Sequence, residues 1–457
     1  MKVAGTRLSA YSILYVCLEE AVIVAAFLAA LSFQSVPLNG SIAVLLLQVA
    51  ALLLFVNGVF FLAGLYDFRH LPSRLTFWRR VGTGLGLIVL CGTVASLLLD
   101  GKAPSIGFFM LLLAAGVILI RTAFEMLMRS DRFRERLLFL GVGSTAQRTA
   151  RELVEHHRRD YELVGFLSED DRGLGWKIGR RPVLGTFENL VEVVEKHDID
   201  KIVVAVEDRR KQLPLRSLLE LRLRGTEILE ETLIHEETAG KIPVEDLRPS
   251  WLIFSEGFSN TPMRNVTKRS FDIIVAATCL VLSAPLALAV ALAIRLDSKG
   301  PILFKQHRVG QGGWEFTLYK FRTMRPDAEA SGEPQWAQKN DPRVTRVGRF
   351  LRRTRLDEIP QMWNVLQGSM SFVGPRPERL FFVEDLRNRV PYYDQRHVVK
   401  PGITGWAQVR FRYGSDDSDA VEKLRHDMYY IKYHSILFDL RILLETIKVV
   451  LRGQLGR

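Results

Sequence analysis

Through the first 130 residues apolar side chains run almost unbroken in four stretches, roughly 14–33, 42–64, 82–99 and 105–128. Each is about long enough to cross ~30 Å of hydrocarbon as a helix. A cleavable leader would have one short apolar core ahead of a soluble domain, so four successive runs are expected to stay as transmembrane helices. From 136 the pattern changes. RLLFLGVG reads as a strand entering a glycine turn, 145–157 as a helix, and YELVGFL and KIVVAV (201–206) as further strands. That alternation predicts a Rossmann-like α/β unit.

A fifth apolar run, Ile273–Ile294, is long enough to span, but Lys268 and Arg269 precede it, Arg295 and Lys299 follow it, and Pro285 lies near its middle. Spanning would carry the basic C-terminal region across the membrane. Proline lacks an N–H and disfavours helical geometry at Ala284, while Ser283 can help satisfy the freed backbone groups. A re-entrant helix-break-helix, entering and leaving by the cytoplasmic face, is therefore expected. At 425–453 apolar positions recur at helical spacing beside Lys432, Arg441 and Lys448; Tyr429, Tyr430 and Tyr433 suit either a core-packed or an interfacial helix. The expected fold is a membrane protein with a four-helix transmembrane bundle (1–130), a Rossmann-like α/β domain (131–262) and a mainly α-helical catalytic domain with a re-entrant membrane helix (263–457).

Charge adds orientation and ligand class. The loop 34–40 has no Lys or Arg, whereas Arg69, Arg74, Arg79 and Arg80 follow the second run and Arg129, Arg132, Arg134 and Arg136 the fourth. Both ends of the bundle are thus expected in the cytoplasm. The net charge of +12 points to anionic partners. Nucleic acid is disfavoured, since few aromatic residues interleave with the cations and no nucleic-acid module is recognisable. Cys17, Cys91 and Cys279 show no pairing pattern or CxxC and read as packing residues. Gly141-x-Gly143-x-x-Ala146 fits a dinucleotide fingerprint, but no acidic residue is clearly placed about 20 positions on, and Glu169 lies 28 residues beyond Gly141. The glycines are accordingly read as serving a tight turn.

The densest chemistry lies between 305 and 410: KQHRVGQGG, LYKFRTM, NDPRVTRVGRFLRRTRLDEIPQ, SMSFVGPRPE and VVKPGITGWAQV. Arg308, Lys320, Arg322, Arg343, Arg346, Arg349, Arg352, Arg353, Arg355, Arg376 and Lys400 surround one carboxylate pair, Asp357 and Glu358. Arg349, Arg352 and Arg353 share a helical stripe that reads as a headgroup-facing or solvated face. Arg322 and Arg376 stand beside turns and can offer a bidentate fork to phosphate. Pro360 and Gly368 predict a helix from about 358 to before 368, with both carboxylates at its N-terminus and ionised at neutral pH. Such a carboxylate can attack phosphorus, and a magnesium ion held by one or two carboxylates plus substrate phosphates would screen its approach.

KRSFD, the Ser/Pro-interrupted apolar helix, YKFRTM, DPRVTRVGRFLRRTRLDEIPQMWNVLQGSMSFVGPRPE and KPGITGWAQV resemble, in the same order, the motifs of the bacterial sugar transferases, monotopic phosphoglycosyl transferases. The resemblance covers roughly 268–457, and the bundle with its α/β domain is similar to the large members that initiate capsule and exopolysaccharide synthesis. It implies an enzyme of the bacterial cytoplasmic membrane, its catalytic domain on the cytoplasmic face, moving a hexose 1-phosphate, glucose or galactose in type, from a UDP-sugar to undecaprenyl phosphate with release of UMP. By matching position Asp357 is the nucleophile, Glu358 its dyad partner, and both are magnesium ligands. Lys268, Arg269 and Asp272 begin the re-entrant element that Ser283 and Pro285 break. Lys320, Arg322, Arg355, Arg376 and Lys400 fall to substrate binding. Simpler members have Ser-Pro adjacent at the break, whereas Ala284 intervenes here. Membrane lipids and a homodimer are partners implied by similar proteins. Two other classes are weighed. A membrane-anchored NAD-dependent dehydratase or epimerase needs Tyr-x-x-x-Lys, which none of the eleven tyrosines supplies, and a non-catalytic polysaccharide-assembly scaffold would leave the dyad unused.

Overall fold

The computed structural model describes residues 2–3, 6–7, 10–33, 42–66, 74–98, 103–128, 134–156, 161–206, 213–247, 249–255, 257–258, 261–326, 328, 341–411 and 417–451. Of the residues used to orient the bundle, Arg69, Arg129 and Arg132 lie outside these. The chain forms two compact units, Leu8–Ile234, and His235–Arg457 together with Lys2–Arg7.

In the first unit four membrane-length helices, α1 (Ala10–Phe33), α2 (Ile42–Ala63), α3 (Arg74–Leu98) and α4 (Ala103–Met128), pack around Ile23, Val56, Phe60, Val81, Leu113 and Val117. Leu47, Leu54, Leu111 and Leu119 point outward, as a lipid-facing surface requires. α3 begins eight residues before the apolar run expected from 82, because its first turns are the basic ones: Arg80 donates to Gly64 O at 2.9 Å. Cys17 and Cys91 are exposed on helix faces rather than packed. An ionic group unremarked in the sequence joins the helices. Arg121 pairs with Glu19 at 2.6 Å, both fully buried, and lies 4.7 Å from the Phe60 ring centroid and 5.7 Å from those of Tyr15 and Tyr66. Tyr15 OH donates to Glu19 at 3.1 Å, and Asn57 donates to Glu20 at 2.7 Å.

The α/β part of the same unit runs β1 (Glu135–Leu140), α5 (Ser144–His156), β2 (Tyr161–Ser168), β3 (Lys177–Ile178), β4 (Arg181–Thr186), α6 (Leu190–Lys196), β5 (Lys201–Val204), α7 (Leu215–Leu223) and β6 (Glu227–Glu230). The sheet order is β3-β4-β2-β1-β5-β6, parallel apart from the β3–β4 edge pair. β1 is apolar from Leu137 and β5 from Ile202, as strands covered on both faces must be, while Glu135, Arg136 and Lys201 stand at their N-terminal ends. Gly141 ends β1 at φ +112°, and a Cβ there would fall 2.6 Å from Ala205 O, so this glycine is needed for the turn and the close crossing.

The second unit is built on α10 (Pro262–Asp297), a continuous helix of 36 residues. It follows α8 (Glu231–Ala239) and α9 (Pro249–Phe254). Pro285 lies inside α10 and does not interrupt it, contrary to the expected break. Proline deletes one bond, leaving Val281 O without its usual donor, and a helix can continue past that loss. Ser283 Oγ donates instead to Leu280 O at 3.4 Å. Ala276 packs with Leu318, Val365 and Met370, whereas Val290 and Ile294 pack with Phe321, Leu351 and Ile359. Val281, Leu282 and Leu288 between them are exposed.

Beyond α10 an antiparallel hairpin, β7 (Leu303–Val309) and β8 (Glu315–Phe321), pairs Val309 with Glu315 and Leu303 with Phe321. Then come α11 (Arg346–Thr354), α12 (Gln361–Gln367), β9 (Ser371–Val373), α13 (Leu380–Arg389), β10 (Gly402–Thr404), α14 (Trp406–Arg410), α15 (Asp417–Tyr433) and α16 (Ile436–Leu451). The C-terminal stretch is thus two helices. Tyr429 and Tyr430 are buried among Trp406 and Phe438, which settles them as core rather than interfacial residues. The same core takes in Ile242, Val244 and Leu247.

Candidate active site

Asp357 and Glu358 stand in a 3₁₀ turn, Leu356–Glu358, between α11 and α12. Thr345 caps α11 by accepting from Gly348 N, and the helix ends at Arg355, whose φ of 60° is left-handed. That conformation is costly for a residue with a Cβ and persists where surrounding contacts impose it. α12 begins at Gln361 and is stopped by Gly368 at φ 91°. The expected end of this helix is therefore met, but its start is three residues later than 358. Glu358 N donates to Arg355 O at 3.1 Å, so it is not an open helix N–H.

Side-chain cations hold the charge instead. Lys320 Nζ at 3.0 Å, Arg355 Nη1 at 3.2 Å and Arg376 Nη2 at 3.4 Å all reach Glu358 Oε1. Burial opposes ionisation of Glu358, but Lys320, then Arg376 and Arg355, outweigh it and hold this carboxyl well below the usual range. Burial, and then the charge of Glu358, push Asp357 up, against Lys320, Arg355 and Arg352. Asp357 is buried and its Oδ1 has no hydrogen-bond donor. One carboxylate is thus a fixed anion and its neighbour a desolvated one with an open oxygen.

Three tethers that the sequence reading missed bring these groups together. Asn364, buried on α12, donates to Thr317 O at 2.7 Å and accepts from Tyr319 N at 3.0 Å, tying the dyad's helix to the strand that bears Lys320. Arg352 Nε donates to Thr323 Oγ1 at 2.9 Å and acts electrostatically on Asp357, so it leaves the solvated stripe where Arg349 and Arg353 remain exposed. Gly348 allows this docking, since a Cβ there would stand 2.0 Å from Thr323 O. The alternation in LFKQHRV and EFTLYKF around Gly310–Gly313 was the available signal for the hairpin. Gln361, also buried, has an Nε2 without an acceptor.

Other candidates lie elsewhere. Arg322 is buried; its Nη2 lies 2.8 Å from both the carbonyl and Oγ of Ser298, while its Nε and Nη1 have no acceptor. The Nη2 contact closes the C-terminal end of α10. Lys268 Nζ contacts Asp272 at 2.8 Å, Asp439 at 2.9 Å and Ser371 at 2.5 Å. Arg269 donates to Val365 O at 2.5 Å and Leu366 O at 2.7 Å. Lys400 is half-buried; a Cβ on Gly368 would lie 3.6 Å from its Nζ and 3.4 Å from Arg269 Nη2, which puts both cations at the C-terminal end of α12. That is the end where positive charge complements the helix dipole, and it is opposite the dyad.

Residues 263–453 match the family model described as bacterial sugar transferase, and residues 62–216 one described as CoA-binding domain. A UDP-N-acetylgalactosamine-undecaprenyl-phosphate N-acetylgalactosaminephosphotransferase of Aeromonas hydrophila is 43% identical over 220 residues, 48% of this chain and 51% of that protein. A UDP-glucose:undecaprenyl-phosphate glucose-1-phosphate transferase of Xanthomonas campestris pv. campestris is 36% identical over 307 residues, 64% of this chain and 60% of the relative. The chain thus spans between half and three fifths of the length of these two. It covers 94% of an exopolysaccharide production protein, PSS, of Rhizobium leguminosarum bv. phaseoli, at 47% identity over 191 residues and 40% of this chain. The protein belongs to the bacterial sugar transferase family.

Proposed function

We propose that this protein transfers a sugar 1-phosphate from a UDP-sugar to undecaprenyl phosphate, releasing UMP, through a phosphosugar ester on Asp357. The observation that carries the reading is the open, buried Oδ1 of Asp357 beside a carboxylate gripped by three cations. An oxygen with no donor keeps its lone pairs for phosphorus. Asp357 attacks the β-phosphorus, and the bond to the bridging oxygen breaks with its electron pair leaving on UMP. A phosphate oxygen of undecaprenyl phosphate then attacks the same phosphorus and frees Asp357. Lys320, Arg355, Arg376 and Arg352 leave the dyad with surplus positive charge, which an anionic diphosphate neutralises.

Asp357 and Glu358 suit a magnesium ion by donor type, hard carboxylate oxygens of which one lacks a partner. No group of three His, Cys, Asp or Glu side chains is gathered for a metal among the described residues, so further ligands would come from substrate phosphates and water. Such an ion would screen the approach of one anion to another.

The geometry of α10 supports a membrane placement at the cytoplasmic face. Both of its ends pack on the same unit, through Ala276 and through Val290, leaving 13 residues between them. At ~1.5 Å per residue these cover about 20 Å, less than the ~30 Å needed to cross. On this reading the helix dips into the cytoplasmic leaflet and keeps the dyad at the interface, where the phosphate of a polyprenyl lipid lies. The relatives' names divide between glucose and N-acetylgalactosamine, so the sugar is to be found by assay. Purified protein in nanodiscs, given a panel of UDP-sugars labelled in the sugar, should become labelled before lipid is added. It should lose that label to undecaprenyl phosphate afterwards. UMP release only when both substrates are present, with unlabelled protein throughout, would exclude the covalent route.

A further inference from the structure

Residues 374–378 read Gly-Pro-Arg-Pro-Glu, and two of the five have no N–H. The loop has acceptors in excess and cannot hold itself by backbone pairing alone. Each of its last four carbonyls nevertheless has a donor. Gly402 N reaches Pro375 O at 2.9 Å, Arg396 Nη2 reaches Arg376 O at 3.0 Å, Arg308 Nη1 reaches Pro377 O at 3.1 Å and Val309 N reaches Glu378 O at 2.9 Å.

Arg396 is the more deeply buried of the two side-chain donors. It sits in the 3₁₀ turn Tyr393–Val398 and is 6% exposed. The same Nη2 donates to Asp427 Oδ2 at 2.9 Å, and Nη1 donates to Tyr393 OH at 2.5 Å. An ion pair needed only for the core would be complete with those two partners. Its further bond goes to the carbonyl of Arg376, the residue whose own guanidinium reaches Glu358.

We propose that Arg396, braced by Asp427 and Tyr393, is a positioning residue for Arg376: it fixes the backbone from which that guanidinium reaches the dyad and the diphosphate. The proposal rests on the transferase reading above. A planar fork serves three partners at fixed angles, which an ammonium on a flexible stem does not.

A double-mutant cycle in the full chain tests it, with UMP release as the readout. Arg396→Lys keeps the charge opposite Asp427 and should lower kcat/KM about 10- to 100-fold, divided between kcat and KM as in Arg376→Ala. In the Arg376→Ala background the same change should cost less than about threefold more. Multiplying losses would overturn the proposal. If Arg396→Lys gives no cooperative melt, Asp427→Asn, which leaves the guanidinium but removes its brace, goes through the same cycle, and additivity there overturns the proposal equally. Wild-type protein silent for UMP release would remove the transferase reading along with it. Active wild-type protein with independent losses would remove only the role of Arg396.

Discussion

Two carboxylates in this molecule are withdrawn from water beside arginine, and they are compensated differently. Glu19 in the helical bundle meets one cation, Arg121, which is enclosed by the rings of Phe60, Tyr15 and Tyr66. Glu358 meets three cations on one oxygen, and next to it Asp357 keeps an oxygen without a donor. A burial or ion-pair criterion would rank the two alike. The remainder separates them: one cation for one anion has the character of a helix tie, whereas surplus cations around an open oxygen have the character of a site awaiting an anion.

The difference should be plainest in Asp357→Asn, expected to lower turnover on the order of 10⁴-fold or more and to abolish protein labelling while the thermal melt is unchanged. Glu358→Gln should come next, lowering kcat on the order of 10²- to 10³-fold, and it should also move the pH profile. Asp357 is raised above the ordinary 3.8, so it holds its proton to a higher pH and the rate falls as pH drops through that raised value. Without the like charge of Glu358 the acid limb should shift to lower pH; a limb that stays in place would assign it to another group.

In the bundle the pattern should invert. Arg121→Met leaves Glu19 as an unpaired buried charge and should cost about 3–5 kcal/mol of stability, read as a lower melting temperature in nanodiscs. Adding Glu19→Gln should recover part of that loss, and turnover per folded molecule should be unchanged by either. The smallest effect expected is in Asn364→Leu, which leaves Thr317 O and Tyr319 N without partners at a cost of about 1–3 kcal/mol. Its measurable mark should be weaker turnover with the pH profile intact.

Legibility in the sequence followed the range of the interactions. The four apolar runs and the alternating strands appear where periodicity puts them, because each reports burial of consecutive residues. The carboxylate pair stands out by its neighbours in the chain, and Lys320, Arg355 and Arg376 do converge on Glu358. Arg352, Asn364 and the ionic tie of the bundle do not stand out, since each owes its place to a residue far along the sequence: Thr323, Thr317 and Glu19. The contact of Arg322 with Ser298 was not legible for the same reason, as Ser298 is 24 residues away. Pro285 was read as a break because a local rule counts a missing N–H, while the helix around it is held by contacts at Ala276 and Val290.

Helix α10 also bears on how the chain matures. The residues that grip its two ends, Leu318, Phe321, Leu351, Ile359, Val365 and Met370, all follow it in the sequence. When the helix leaves the ribosome it is an ordinary apolar segment with no partner yet made, and at ~5–20 residues per second several seconds of synthesis separate it from Met370. On the proposed placement its depth in the bilayer is settled after insertion, as the following domain folds and draws both ends to one side. On that proposed placement, retention of the helix in a single leaflet depends on completion of that domain as well as on the helix's own composition.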